Sequence, residues 1–168
     1  MEFPRPLAAP LALLPIPIVE GAVKLMFSSL MKRHPKLFDR LGEHRAKRYA
    51  FRPTDLPLVF LVEPARPAIT LMRRQANPPA DALVEGSLFR LLTLLEGRSD
   101  ADALFFARSL TVTGDMEAML ALRNALDGSE IDLPRDLGAA AGPFAPLFSR
   151  AAAAIRRRAL AGENAAWN

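Results

Sequence analysis

The side chains that could perform catalysis or bind a metal are few in this sequence, and they form no recognisable pattern. Two histidines occur, His34 and His44, without a His-Glu-x-x-His motif and without an acidic partner at metal-ligand spacing. His34 precedes a proline, and His44 lies among basic residues, so surface or capping roles are predicted for both. We therefore expect no metal site and no bound cofactor.

The carboxylates and hydroxyls give no stronger indication of catalysis. Asp100 and Asp102 are close enough in sequence for an acid–base pair, but carboxylates in a loop before a regular element usually cap it. Ser28 and Ser29 lack the Gly-x-Ser-x-Gly context of a hydrolase nucleophile, and no glycine-rich phosphate loop occurs. The sequence has no cysteine, which removes disulfides, thiol nucleophiles and cysteine-ligated zinc or iron–sulfur centres. These observations predict that the protein is not an enzyme.

The strongest pattern is apolar and lies within residues 102–126. Residues 108–113 alternate between polar and apolar, with Leu110 and Val112 on one face, which predicts a half-buried strand. Asp115 is a good N-cap for the helix that follows. The apolar stripe of that helix consists of Met119, Leu122 and Leu126.

Hydrophobic periodicity predicts helices, three strands, a strand–helix–strand crossover and further helices, in that order. We expect residues 1–18 to be extended because they contain five prolines, and we expect Pro35 to start a second helix. The helix between them has an apolar stripe made of Val23, Met26, Phe27, Leu30 and Met31. The predicted strands are 47–52, 58–63, 68–73, 80–85 and 108–113, with a leucine-rich helix at 87–96. This is an α+β layout, a single sheet covered by helices.

Three segments are expected along the chain. Residues 1–18 form a proline-rich apolar arm, residues 19–128 form the main domain with its leading helices, and residues 129–168 form a C-terminal helical extension. The helix of this extension has an apolar stripe made of Phe144, Leu147, Phe148, Ala151 and Ile155.

Charge is distributed unevenly along the chain. Residues 1–52 carry ten basic and four acidic side chains, whereas the remaining residues carry twelve basic and fourteen acidic ones. A basic segment of this kind is compatible with a solvated face or with docking on an anionic membrane surface. Nucleic acid is not an expected partner, since aromatic residues are not interleaved with the basic ones as stacking platforms and no known nucleic-acid-binding motif occurs. The longest apolar run, residues 8–19, is too short to span a membrane and is interrupted by prolines, so we expect a cytoplasmic protein.

The run LFFARSLTVTGDM at residues 104–116, followed by an apolar helix, resembles the signature of sterol carrier protein type 2 domains. The likeness extends over about residues 45–127. The acidic residues at 99–102 and the helix end at 123–126 most resemble the UbiT branch, which comprises lipid-binding accessory factors of bacterial ubiquinone biosynthesis. Family members commonly have Gly-Lys where this chain has Arg108 and Ser109, a departure that leaves the strand pattern intact.

The resemblance implies a fold of the sterol carrier type, with a single, mainly antiparallel five-stranded sheet covered by helices and extra helices at both ends. It also implies that the apolar faces partly line a tunnel for polyprenyl or ubiquinone intermediates. The candidate wall residues are Leu91, Leu94, Leu95, Phe105, Phe106, Leu110, Val112, Met116, Met119 and Leu120.

The resemblance further implies a setting in the cell. The partners would be peptidase-family iron–sulfur hydroxylases of an oxygen-independent ubiquinone synthesis. The protein would be cytoplasmic and would contact anionic membranes transiently.

Two other classes remain open from the residues alone. The chain could be an accessory domain of an enzyme that processes acyl groups or thioesters, which would require a His–Asp or Ser–His pair inside a pocket. It could also be a membrane-recruited scaffold whose core is solid. Mass spectrometry of organic extracts from the natively purified protein would separate a lipid carrier from a scaffold.

Overall fold

A computed structural model describes residues 16–96, 110–129, 131, 132 and 136. Within them, helix α1 (Ile16–Arg33) and a 3₁₀ helix (Phe38–Ala46) precede the strands β1 (Tyr49–Pro53), β2 (Leu58–Glu63), β3 (Ala68–Arg73) and β4 (Ala82–Gly86). Helix α2 (Leu88–Glu96), strand β5 (Leu110–Gly114) and helix α3 (Met116–Asp127) follow. The predicted α+β class and the predicted order of these elements are confirmed.

The five strands form one mixed sheet in the order β3-β2-β1-β4-β5. The β1–β4 pair is parallel, and the other three pairs are antiparallel, so the sheet is mainly antiparallel as predicted. Because side chains alternate between the faces of a sheet, the register aligns one inward residue from each strand in a single row. This row is Leu71, Phe60, Phe51, Val84 and Val112.

The main core lies between this inner face and the helices. In α3, the five buried residues recur at helical spacing and pack against the β4–β5 side of the sheet; they are Ala118, Met119, Leu122, Ala125 and Leu126. Ile131, beyond α3, is fully buried in the same cluster. A smaller cluster on the opposite face of the sheet contains Ala50, Val59 and Leu61.

The N-terminal elements differ from the sequence-based expectation. Residues 16–18, predicted to be extended, belong to α1, because Pro17 lies in the first turn, where proline needs no hydrogen-bond partner. The predicted second helix is a 3₁₀ helix that begins at Phe38 and contains a kink at Gly42, where φ is +55°.

Helix α1 lies against β3 and is loosely embedded. Leu30 is its single buried residue, and Ile18 and Leu25 are exposed. The Lys24 ammonium, 2.9 Å from Glu20, and the backbone of Leu71 in β3 hold the pKa of the Glu20 carboxyl below its ordinary value. Among the described helices, none is both long enough and apolar enough to cross a membrane.

The junction between β5 and α3 is fixed by backbone geometry and by one carboxylate. Gly114 has φ of +92°, and the carbonyl oxygen of Asp81 accepts the backbone N–H of Asp115 at 2.8 Å. Asp115 caps α3 as predicted, since its side chain accepts the N–H of Ala118 at 2.9 Å. This hydrogen bond, with the Lys47 ammonium at 3.0 Å, holds the pKa of the Asp115 carboxyl below its ordinary value.

Several predicted features fall outside the described residues. These are most of the proline-rich arm, the Phe105–Phe106 pair and the predicted C-terminal helix with its apolar stripe.

The close approach at Gly114 yields a stability prediction. Gly114→Ala should lower the free energy of unfolding by about 1–3 kcal/mol, because an added Cβ meets the carbonyl oxygen of Asp81 at a positive φ. Gly21→Ala is the control: no atom lies near the added Cβ in exposed α1, and stability should rise by up to about 1 kcal/mol. Urea unfolding of both variants measures the difference, and equal stabilities would contradict the proposed strain.

Candidate functional site

A partly open cavity of about 190 Å³ lies between the inner face of the sheet and the helices. It is bounded by α1, the 3₁₀ helix, α2, the end of α3 and strands β1 and β2. Within the part of the chain that the structure describes, fifteen residues line it and all are apolar: Phe27, Leu30, Met31, Leu37, Phe38, Phe51, Phe60, Val62, Leu88, Leu91, Leu92, Leu94, Leu95, Leu122 and Leu126.

Helix α2 contributes one wall because leucines occupy most of its positions. Leu91 and Leu94 are buried, whereas Leu92 and Leu95 are half-buried and pack against the same core. Asp55 accepts the backbone N–H of Leu88 at 2.9 Å, which satisfies one of the free donors at the start of the helix. Helix α2 therefore places several large apolar side chains over the sheet, and none of its polar side chains lines the cavity.

The opposite wall is formed by two elements joined by a short turn. Helix α1 ends at Arg33, and the backbone N–H of Leu37 donates to the carbonyl of His34 at 3.1 Å before the 3₁₀ helix begins. Phe27 on α1 and Phe38 on the 3₁₀ helix pack together, with ring centroids 6.3 Å apart and planes inclined at 31°. This aromatic pair joins the two elements along the cavity.

Among the described residues, no ionisable or hydroxyl side chain lines the cavity, so this part of its wall offers no acid–base or nucleophilic group. The hydroxyl of Tyr49, a residue of the same core, does not line the cavity and donates to the carbonyl of His44 at 3.0 Å. Burial, with smaller effects from Asp115 and Asp81, raises the pKa of Tyr49 to about 12. What this arrangement can do is remove an apolar group from water.

The structure brings some of the predicted wall residues together at this cavity. Leu91, Leu94 and Leu95 line it. Leu110 and Met119 are buried in the same core, and Val112 is half-buried against it, but these three are not cavity-lining residues.

Two further candidates point away from the cavity. Met116 is 60% exposed and Leu120 is 55% exposed, both on the outer side of α3. Phe105 and Phe106 lie outside the described residues. Leu122 and Leu126, about one and two turns beyond Met119 on the stripe of α3, line the cavity instead.

Most of the lining residues that the sequence reasoning missed come from the N-terminal helices and from the sheet. The apolar stripe of α1 indicated that Phe27, Leu30 and Met31 face a core, but not which part of it. For Phe51, Phe60 and Val62, the sequence indicated only the apolar alternation of a strand, which does not show what lies opposite them. The missing information was the strand order, which places β1 and β2 opposite α2.

An α+β domain whose helices enclose a cavity with an apolar lining, as the described residues do here, is typical of proteins that bind apolar ligands. The chain belongs to the SCP-2 sterol transfer family, whose model matches residues 27–127. The resemblance to sterol carrier protein type 2 domains is thereby confirmed, while the UbiT branch stays a prediction.

A solved structure shows the same fold. A protein described as "UbiJ-SCP2 Ubiquinone synthesis protein" is 19% identical, with a TM-score of 0.55 over 71% of this chain and 98% of its own. Sterol carrier protein 2 of Yarrowia lipolytica in its apo form is 15% identical, with a TM-score of 0.45 over 64% of this chain and 88% of its own. No curated protein matches the chain.

Two tryptophan substitutions separate cavity from solid core. Leu95→Trp should fill ligand space and reduce uptake of an apolar ligand, with little change in the thermal midpoint, since Leu95 lines the cavity and is half-buried. Met119→Trp should lower the free energy of unfolding by roughly 1–3 kcal/mol and leave ligand uptake intact, because Met119 is buried but does not line the cavity. Thermal unfolding and ligand stoichiometry are the measurements. Normal uptake by Leu95→Trp together with reduced uptake by Met119→Trp would show that the cavity is not the binding site.

Proposed function

We propose that this protein is a non-enzymatic lipid carrier that holds the isoprenoid chain of ubiquinone intermediates in its apolar cavity. The observation that carries the proposal is the lining itself, fifteen apolar residues with no ionisable or hydroxyl group among them. The same observation disfavours an accessory domain for acyl or thioester processing, which would need a nucleophile or base beside its substrate. A cavity also disfavours a scaffold whose core is solid.

The energetics of such a cavity suit a hydrocarbon chain. Each methylene taken from water gains about 0.8 kcal/mol, so a five-carbon isoprene unit gains roughly 4 kcal/mol without any charged anchor. An apolar cavity of about 150 Å³ stays dry and binds benzene, so one of 190 Å³ accommodates a group of that order. A polyprenyl chain is longer, and its remaining units must lie along the open side or enter a widened cavity.

The choice of ubiquinone intermediates rests on two supports. The signature at residues 104–116 and its flanking residues most resemble the UbiT branch. The fold resembles that of a protein named for ubiquinone synthesis. In this proposal the carrier acts in oxygen-independent synthesis and presents the bound intermediate to peptidase-family iron–sulfur hydroxylases.

Contact with anionic membranes is part of the same proposal. Helix α1 exposes Ile18 and Leu25 beside Lys24, and Lys32 is exposed near its end. Apolar side chains with neighbouring cations favour adsorption to an anionic lipid surface, and the attraction is screened by salt. A cytoplasmic carrier would load from the inner leaflet in this way.

One incubation tests uptake and membrane contact together. The purified protein is mixed with phosphatidylglycerol-containing vesicles that hold a polyprenyl quinone, and the two are then separated by flotation in high salt. We expect about one quinone per chain in organic extracts of the released protein, and co-flotation only at low salt. The apolar lining predicts retention of the chain, and the basic residues predict the salt dependence.

The control ligand is the same quinone head group without its isoprenoid chain, which should not be retained. The Leu95→Trp variant should take up less of the long-chain quinone. Recovery of protein free of quinone after incubation, by native mass spectrometry, would contradict the proposed function.

A further inference from the structure

A buried carboxylate joins the chain beyond α3 to the end of α1. The side chain of Asp136 is only 6% exposed, and its Oδ2 lies 2.9 Å from Nε2 of His34, which donates to it. Nη1 of Arg33 lies 3.4 Å from the other carboxylate oxygen. Asp136 also accepts the backbone N–H of Asp132 at 3.2 Å, and its own N–H donates to the Asp132 carbonyl at 2.7 Å. A carboxylate this buried persists only where it is paired and hydrogen-bonded, so the contact is specific.

His34 is placed where the two parts of one cavity wall meet. Its backbone N–H donates to the carbonyl of Leu30 at 2.9 Å, and its carbonyl accepts the N–H of Leu37 at 3.1 Å. Leu30 and Leu37 both line the cavity. The imidazole that Asp136 holds therefore belongs to the turn that sets the angle between α1 and the 3₁₀ helix.

Among the described residues, α1 is otherwise held over the cavity by the Phe27–Phe38 ring contact and by its packing against β3. Leu30 is the single buried residue of its eighteen, and the helix lies against the edge strand β3. The cavity beneath it is also smaller than the roughly 300–1,000 Å³ of usual ligand pockets. A long chain is therefore fully enclosed only if part of the wall moves, and α1 is the part with the fewest buried side chains.

We infer that Asp136 is a positioning residue that latches α1 over the cavity, and that release of its contact with His34 and Arg33 allows α1 to move and a long apolar ligand to exchange. Ile131 is buried in the core next to Asp132, whose backbone is hydrogen-bonded to Asp136, so Asp136 is tied to the core. The inference rests on the proposed function for the ligand, but the latch itself is a property of the protein without ligand.

The test is hydrogen exchange in the ligand-free protein, followed by the rate of quinone release. Asp136→Asn removes the charge at nearly constant size, and His34→Gln removes the imidazole from the other side. We expect exchange of the α1 amides from Phe27 to Arg33 to rise about tenfold in both variants, the factor that matches the loss of one charge-assisted hydrogen bond. Amides of β1 and α3 should be unchanged, and release of bound polyprenyl quinone should accelerate by a similar factor.

Two controls separate a latch from a general loss of stability. Asp39→Asn breaks an exposed ion pair, 2.8 Å from Arg45 on the 3₁₀ helix, and should change neither exchange nor release. Gly114→Ala lowers global stability far from α1 and should not raise exchange there selectively. Unchanged α1 exchange in both latch variants, or faster exchange without faster release, would overturn the inference. If wild-type protein binds no quinone, the proposed function fails, while α1 exchange still decides whether the latch exists.

Discussion

The apolar inner face of the sheet must be covered by helices, and the helices do not fill all of the space above it. The rest of the structure depends on this incomplete packing. The register of five strands places one large apolar side chain from each in a row on this face. On the β4–β5 side, α3 packs closely with buried small and medium residues such as Ala118 and Met119. On the β1–β2 side, the helices stand over Phe51 and Phe60 and leave a cavity. The close-packed side, under α3, and the side with the cavity, under α1 and α2, therefore share one sheet.

This division separates the close-packed part of the molecule from the part that we propose binds the ligand. The β5–α3 junction is specified in detail, by a glycine at positive φ and by a capped helix start. The α1 wall has one buried residue and a hydrogen-bonded end at His34. Regions with few buried apolar contacts open most easily, and α1, which we propose moves for a ligand, is the part of the cavity wall with the fewest buried side chains.

Much of the fold could be predicted because local signals agreed with the tertiary structure. Strands β2 and β3 have the predicted bounds, and the alternation at Leu110 and Val112 and the cap at Asp115 were predicted correctly. The start of α1 was not, because proline in a first turn and proline in an extended arm give the same sequence signal.

The cavity wall was harder to predict, since periodicity shows which face of an element is buried but not what lies opposite. Leu91, Leu94 and Leu95 were selected for their place on a leucine-rich helix and do line the cavity. Met116 was selected for its apolar character at the start of α3, yet it faces outward. Phe51 and Phe60 became recognisable only once the β3-β2-β1-β4-β5 order placed them beneath α2.

We propose that the isoprenoid chain enters the space between α1 and α2. A polyprenyl quinone with a photoreactive diazirine at the far end of its chain measures this most directly, through the peptides it labels on irradiation. The structure predicts labelling within Phe27–Met31 and Leu88–Leu95, and loss of that labelling in Leu95→Trp. Labelling confined to the exposed side of α3 around Met116 and Leu120 would contradict the claim.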